Sequence, residues 1–406
     1  MRRKIYSRLL EWKNSKDRRP LMLLGARQVG KTWIMRHFGE QEYSKVVYVN
    51  CDDEPRMKQI FDLDYDIERI LTTLQAITGQ KATPGDTLIV LDEIQEVPRG
   101  LHSLKYFCEK APEYHVMVAG SLLGVTLGGG ESFPVGKVDM LYMYPMDYEE
   151  FLEATGHGEW FGLLRSHDWP LVDALLPKLV ELLRQYYYVG GMPGVVGRYV
   201  ENRDLKQVRT LQHEILDAYG RDISKHTSAA ESVRIRQVLA SLPMQLAKES
   251  KKFVYGAVRK GSRAKDFELA IQWLQDAGII YKVNRIREPR VPIKFYEDFD
   301  AFKLFLLDCG LLACMADAPA DQMLIGDNVF VELKGAFTEQ YVLQQLLAVG
   351  LTPYYWSNAK TPAKVDFIVQ QGSRLVPIEV KAEENVRARS LSQFIKDNPG
   401  LKGLRL

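Results

Sequence analysis

The chain is poor in cysteine, with four in 406 residues, and Cys51, Cys108, Cys309 and Cys314 form neither a C-x-x-C pair nor a zinc-finger spacing. That argues against a disulfide-built secreted scaffold and favours a reducing, cytoplasmic setting. Histidine is also sparse; the seven include no H-E-x-x-H, the spacing that puts two zinc ligands on one helix face. Charge of one sign is missing too. Lys and Arg total 54 against 52 for Asp and Glu, a net of +2, which excludes a polycation or an acidic tail protein. Long apolar runs are absent. The longest, Leu304 to Ala316, contains Asp308 and is too short to cross a bilayer. The first twenty residues are basic but lack the apolar stretch of a secretory signal. No membrane partner is expected. There is no fixed-period repeat and no low-complexity tract. What remains is a globular composition, 46% hydrophobic and 26% charged, over a length that suggests two or three domains.

The first block alternates short apolar runs with longer amphipathic ones. Residues 21–24, 46–50, 88–91, 115–119 and 138–143 are the runs, and stretches such as 32–39, 66–78 and 103–111 suit crossover helices. Short continuous apolar runs fit parallel strands buried on both faces, so the pattern predicts an α/β fold.

Gly25-Ala26-Arg27-Gln28-Val29-Gly30-Lys31-Thr32 follows the first run and fits G-x-x-x-x-G-K-[ST]. The glycines let backbone N–H groups curl round phosphates. Lys31 reaches the β- and γ-phosphates, and the Thr32 hydroxyl suits Mg²⁺. A helix starting near Thr32 turns its positive end toward the same anion. The alternative is an ordinary glycine-rich turn. The run 88–91 ends in Asp92-Glu93. Asp92 is the expected partner of Thr32 at the metal, and Glu93 the expected general base for an attacking water. Alone, that pair reads equally as an acidic strand end. Ser121, after the run 115–119, faces a γ-phosphate if its strand lies between the other two; otherwise it is a solvated turn serine.

The segments GARQVGKT, LDEIQ, Gly120-Ser121, LYMYPMDYEEFL (141–152) and YYYVGGMPGVV (186–196) together resemble one family. These are the prokaryotic AAA-type ATPases with a C-terminal domain of unknown function and a nuclease-like pattern. The resemblance covers nearly the whole chain. It implies a P-loop NTPase core (1–147), a helical and winged-helix middle (148–320) and a restriction-endonuclease-like α/β end (321–406). It implies ATP and Mg²⁺ as cofactors, with the Walker A residues at Gly25 to Thr32 and the Walker B acids at Asp92 and Glu93. Where that family carries Gly-Arg, this chain reads Gly136-Lys137, so an arginine-specific role is not implied there. Relatives continue past the equivalent of Leu406, which leaves a missing closing strand as an expectation. Ring assembly is common in such relatives, so a homo-oligomer is compatible; Arg221 is weighed as a finger for a neighbour's ATP, and a helix-surface arginine is the reading preferred.

The middle stretch is read as mostly helical, with one helix over 171–187 and the aromatic run at 186–188 as core. Over 251–297 the pattern predicts a helix from Arg263 to Ala277, strands at 279–283 and 293–296, and a wing between them, as in a winged helix. Eleven basic and four acidic residues lie between 251 and 294. That local excess is the electrostatic footprint of a DNA-contacting element, with Arg263, Lys265, Arg285, Arg287 and Arg290 as candidate contacts. The alternative is a winged helix that only packs on its own core.

Near the C-terminus, Asp366-x₁₂-Glu379-x-Lys381 falls on two expected strands of a hairpin. Side-chain alternation puts Glu379 and Lys381 on one face. Two carboxylates beside a lysine suit Mg²⁺-assisted phosphodiester attack, the PD-(D/E)xK pattern, with Glu339 as a helix-borne addition. Two functions stay open: an ATP-hydrolysing machine acting on DNA, or a nucleotide-switched regulatory or protein-binding module whose nuclease-like end is inert.

Overall fold

The computed structural model describes residues 1–121, 134–324, 331–358, 363–381 and 389–406. The chain divides into two compact units: residues 1–144 with 276–278, and residues 145–275 with 279–406. The helical stretch and the C-terminal stretch, separate domains in the sequence reading, thus share the second unit.

The first unit holds five parallel strands: β1 (Leu21–Gly25), β2 (Lys45–Asn50), β3 (Thr87–Asp92), β4 (His115–Ser121) and β5 (Asp139–Tyr142), in the order β2-β3-β4-β1-β5. Every residue of β1 and β3 is buried, as continuous apolar runs require. On one face Met22, Leu24, Val49, Leu91 and Val118 pack on Met57, Phe61, Leu74, Leu104 and Phe107. These come from the helices Pro55–Leu63, Ile67–Thr78 and Pro98–Lys110. The helix Lys31–Glu42 runs close to β2 and β3, where Gly39 lies against Val46 and Leu88. β5 alternates between half-buried and exposed residues, because a sheet edge has only one neighbouring strand to cover it.

The second unit begins with helices. Asp147 caps the helix Tyr148–Ala154 through a reciprocal box with Glu150. The helix expected over 171–187 is two, Trp169–Ala174 and Leu176–Val189. Pro177 lacks an N–H and is tolerated only in the first turn of a new helix. Its other half is a six-stranded mixed sheet of β6 (Ile280–Ile286), β7 (Glu297–Leu306), β8 (Pro353–Ser357), β9 (Lys364–Gln371), β10 (Arg374–Glu379) and β11 (Leu404–Arg405), ordered β11-β10-β9-β8-β6-β7. This corrects the expected wing. Residues 293–296 form a 3₁₀ turn rather than a strand, and β6 pairs both with β7 and, in parallel, with β8. The would-be winged-helix strands therefore belong to the same sheet as Asp366 and Glu379. The helix read at 263–277 is present as Ala264–Asp276.

Candidate functional site

The loop after β1 is shaped by close backbone approach. A Cβ on Gly25 would lie 2.4 Å from the Met143 carbonyl oxygen, so only glycine fits. Gln28 (φ 67°) and Gly30 (φ 94°) both take left-handed conformations, which curl the loop before the helix Lys31–Glu42 starts. Lys31 is 7% exposed, and its ammonium donates to the carbonyl oxygens of Gly25 and Ala26 at 2.9 and 2.8 Å. Burial pulls its pKa down to about 8, against the opposing pull of Glu93 and Asp92. Arg3 supports the loop from outside the motif, donating to the Val29 carbonyl at 3.1 Å and the Tyr144 carbonyl at 2.7 Å.

The end of β3 comes to the same place. Thr32 Oγ1 donates to Asp92 Oδ2 at 2.5 Å, and the Tyr48 hydroxyl donates to the same oxygen at 3.0 Å. The Glu93 N–H donates to Asp92 Oδ1 at 3.1 Å, the Gln95 amide donates to Glu93 Oε2, and Glu93 is held at φ 51°. A left-handed conformation is uncommon for a non-glycine residue and marks a constrained position. β4 lies between β3 and β1, with Ser121 in register opposite Gly25. Lys137, at the position of the missing arginine, is ion-paired with Glu109 at 2.9 Å.

Tyr48 and Arg3 were not legible as site residues. Tyr48 did leave a trace, as the one hydroxyl in the apolar run Val46-Val47-Tyr48-Val49. Arg3 left none.

The second unit brings the C-terminal carboxylates together. Asp366 on β9 and Glu379 at the end of β10 sit on an antiparallel pair, and Asp366 Oδ2 accepts the Val380 N–H at 3.0 Å. Glu339, on the helix Val331–Ala348, is 4% exposed. Lys381 turns back to Glu379 Oε1 at 2.7 Å. Two lysines that the sequence reading left out complete the cluster. Lys303 of β7 donates to Glu339 Oε2 at 3.0 Å and lies 4.0 Å from Asp366 Oδ1, and Lys251 donates to Glu339 Oε1. Burial opposes ionisation of Glu339, but Lys303 and Lys251 prevail and hold its carboxyl at about 2. Asp366 is pushed up, first by burial and then by Glu339. The signal for Lys303 was a lone cation inside the apolar run Ala301-Phe302-Lys303-Leu304-Phe305.

Of the candidate DNA contacts, Arg263 and Lys265 are exposed, and Arg287 and Arg290 have side chains 70% exposed. Arg285 is drawn onto Asp298 at 2.5 Å. Arg221 lies exposed on the helix Leu205–His226. Among the described residues no group of three His, Cys, Asp or Glu side chains is arranged to hold a metal, and no helix is long and apolar enough to cross a membrane.

A parallel sheet carrying a glycine-rich phosphate loop after β1 and an acid pair after β3 defines a P-loop nucleotide-binding domain. Comparison with known families narrows the class: residues 17–152 match the model of the AAA domain, so the first unit carries an AAA-type P-loop ATPase domain. Residues 180–322 match "Domain of unknown function (DUF8612)" and residues 334–404 "Domain of unknown function (DUF4143)". No curated protein sequence matches the chain. Among solved structures, a Walker-type ATPase of Pyrococcus abyssi is similar at 15% identity and a TM-score of 0.49, covering 78% of this chain and 95% of that one. The Aeropyrum pernix ORC1 protein in complex with DNA is similar at 15% identity and a TM-score of 0.28, over 79% of this chain and 93% of that one. The Aeropyrum pernix ORC2 protein in its ADP form gives 13% and 0.28, over 83% and 92%.

Proposed function

We propose that the chain binds ATP with Mg²⁺ in the loop Gly25–Thr32, hydrolyses it, and couples turnover to DNA contact by the second unit. The observation that carries the catalytic part is the 2.5 Å bond from Thr32 Oγ1 to Asp92 Oδ2. Two hard oxygen groups from different elements already converge beside the phosphate loop, which is the donor chemistry Mg²⁺ takes. When bound, the metal would be held by Thr32 and Asp92 and would offset charge on the phosphates. The chain's own residues do the rest. Backbone N–H groups of residues 25–32 cradle the phosphates. Lys31 exchanges the carbonyl oxygens of Gly25 and Ala26 for phosphate oxygens. Glu93 takes a proton from the attacking water, and its fixed backbone and the Gln95 contact aim the carboxylate. Tyr48 keeps Asp92 oriented.

The test separates binding from chemistry. Lys31→Ala removes retention of labelled ATP. Glu93→Gln keeps retention and loses turnover by about 100-fold or more, the usual worth of a general base. Folded wild-type protein that retains no labelled ATP with Mg²⁺ would sink the proposal.

A nucleotide-switched regulatory or protein-binding module is the second reading, and one observation favours it for the second unit. The carboxylate Glu339 of the nuclease-like cluster is already bound by Lys251 and Lys303. In this reading the nuclease-like end has the strands of PD-(D/E)xK chemistry without its metal.

A further inference from the structure

We infer that Lys303 occupies the cation position of the Glu339–Asp366–Glu379 cluster, so that this cluster is a self-neutralised charge core rather than a divalent-metal site. The inference concerns the second unit alone and stands or falls separately from ATP binding.

A buried carboxylate needs a counter-charge or hydrogen-bond donors; without them it is strongly destabilising. Three carboxylates are buried here, with Glu339 at 4%, Asp366 at 3% and Glu379 at 2% exposure. Each lies beside an ammonium group, Lys303 being shared by Glu339 and Asp366. Glu339 has Lys251 and Lys303, one on each oxygen. Asp366 has Lys303 at 4.0 Å. Glu379 has Lys381 at 2.7 Å. Lys364 is near enough for its charge to act on Glu339 and Asp366 as well. A divalent ion entering this space would sit beside ammonium groups a few ångströms away. To reach both Glu339 Oε2 and Asp366 Oδ1, such an ion must displace the Lys303 ammonium that already faces those two oxygens.

The second observation is directional. Asp366 Oδ1 and Glu379 Oε2 are buried and lack a hydrogen-bond partner among the described residues. Asp366 Oδ1 faces the Lys303 ammonium at 4.0 Å. Removing that one ammonium leaves Asp366 Oδ1 and Glu339 Oε2 without the cation they face, and oxygen donors are what a hard cation takes. The buried ion pairs also join chain segments far apart in sequence, β7, the helix Val331–Ala348 and the stretch at Lys251. The lysines therefore act as the cross-links that a metal would otherwise provide.

The experiment uses the nucleotide-free full-length chain and terbium, whose luminescence is sensitised by a nearby aromatic ring. Tyr355 has its ring 5.1 Å from Lys303 Nζ, so an ion bound in place of that ammonium would be reported. Wild type and Lys303→Arg should show no saturable signal that depends on Asp366. Lys303→Met should gain one, at least tenfold tighter than any residual binding, with competition by Mn²⁺ and loss on adding Asp366→Asn. A saturable wild-type signal abolished by Asp366→Asn would overturn the inference, as would a folded Lys303→Met protein that binds no ion. If Lys303→Met does not fold without metal, the wild-type titration, together with its Asp366→Asn control, decides alone.

Discussion

In the proposed ATP site, Lys31 is assigned the phosphate contact and also carries its own vulnerability. Its ammonium is buried among the carbonyl oxygens of Gly25 and Ala26, and that desolvation lowers its pKa to about 8. Phosphate prefers the charged form, so binding takes up a proton whenever the free lysine is neutral. The sign follows: the folded value lies below the free-lysine value, and affinity is lost as pH rises through about 8. ATP affinity should be nearly constant from pH 6.5 to 7.5 and then fall, approaching about tenfold per pH unit, the limit for one coupled proton. Titrations with a fluorescent ATP analogue at constant ionic strength check this, with Lys31→Arg as the variant that stays charged. Affinity unchanged up to pH 9.5 would overturn this pH dependence, and the Lys31→Ala retention assay then decides the phosphate contact. Gly25 belongs to the same scale, since its missing side chain is what lets Met143 close on the loop.

At the scale of elements, the Gly190-Gly191 turn shows how the second unit is locked. Gly191 donates its N–H to Asp308 Oδ2 at 2.6 Å, and a Cβ there would lie 2.1 Å from the Met146 carbonyl oxygen. Asp308 also caps the helix Cys309–Met315 by accepting the Leu311 N–H at 3.0 Å. Gly191→Ala must therefore push two backbones apart. It should destabilise the second unit by about 3 kcal/mol, the upper range for overpacking, and a melt followed by tryptophan fluorescence should show its midpoint several degrees lower. An unchanged midpoint would mean that the turn relaxes freely. The elements of the two units were legible to different degrees, for physical reasons. The parallel strands β1 to β4 could be read because burial on both faces leaves continuous apolar runs, and the aromatic run 186–188 could be read as core because it ends an amphipathic helix. β7 was obscured because it opens on Glu297, Asp298 and Asp300; Glu297 and Asp298 answer Asn284 and Arg285 across the pair. The 3₁₀ turn at 293–296 carries strand-like residues but follows Pro292, and nothing local distinguishes it. At the candidate sites, residues 25–32, Asp92 and Glu93 could be read because the chemistry fixes their spacing. Lys251 and Lys303 meet Glu339 across 88 and 36 residues, a separation at which sequence pattern carries no information.

At the scale of the whole molecule, the question is where the positive charge goes. The net charge is +2, yet 251–294 holds eleven of the basic residues. The fold uses several of them internally: Lys251 on Glu339, Arg285 on Asp298, and Lys282 over the Phe302 ring at 4.4 Å. Arg263, Lys265, Arg287 and Arg290 remain exposed, so the DNA proposal rests on these four rather than on the segment's formal charge. Each phosphate neutralised by a cation contributes about −0.9 to the slope of log K against log salt on duplex DNA. If all four make contact, the wild-type slope is near −4, and changing them together to Glu should remove nearly all of it. Arg285→Gln should do the opposite of a contact mutation, leaving the slope unchanged while reducing buried Asp298 to the 3.7 Å pairing with Arg287 and the Asp300 N–H, and lowering stability. The same proteins then test coupling. Duplex DNA should raise ATP turnover of the wild type and not of the fourfold variant, with basal turnover equal in both, because none of the four residues belongs to the nucleotide site. DNA binding that keeps its salt slope in the fourfold variant would place the contact elsewhere. Turnover indifferent to DNA in the wild type would leave the first unit an ATPase and return the second to the role of a nucleotide-switched module.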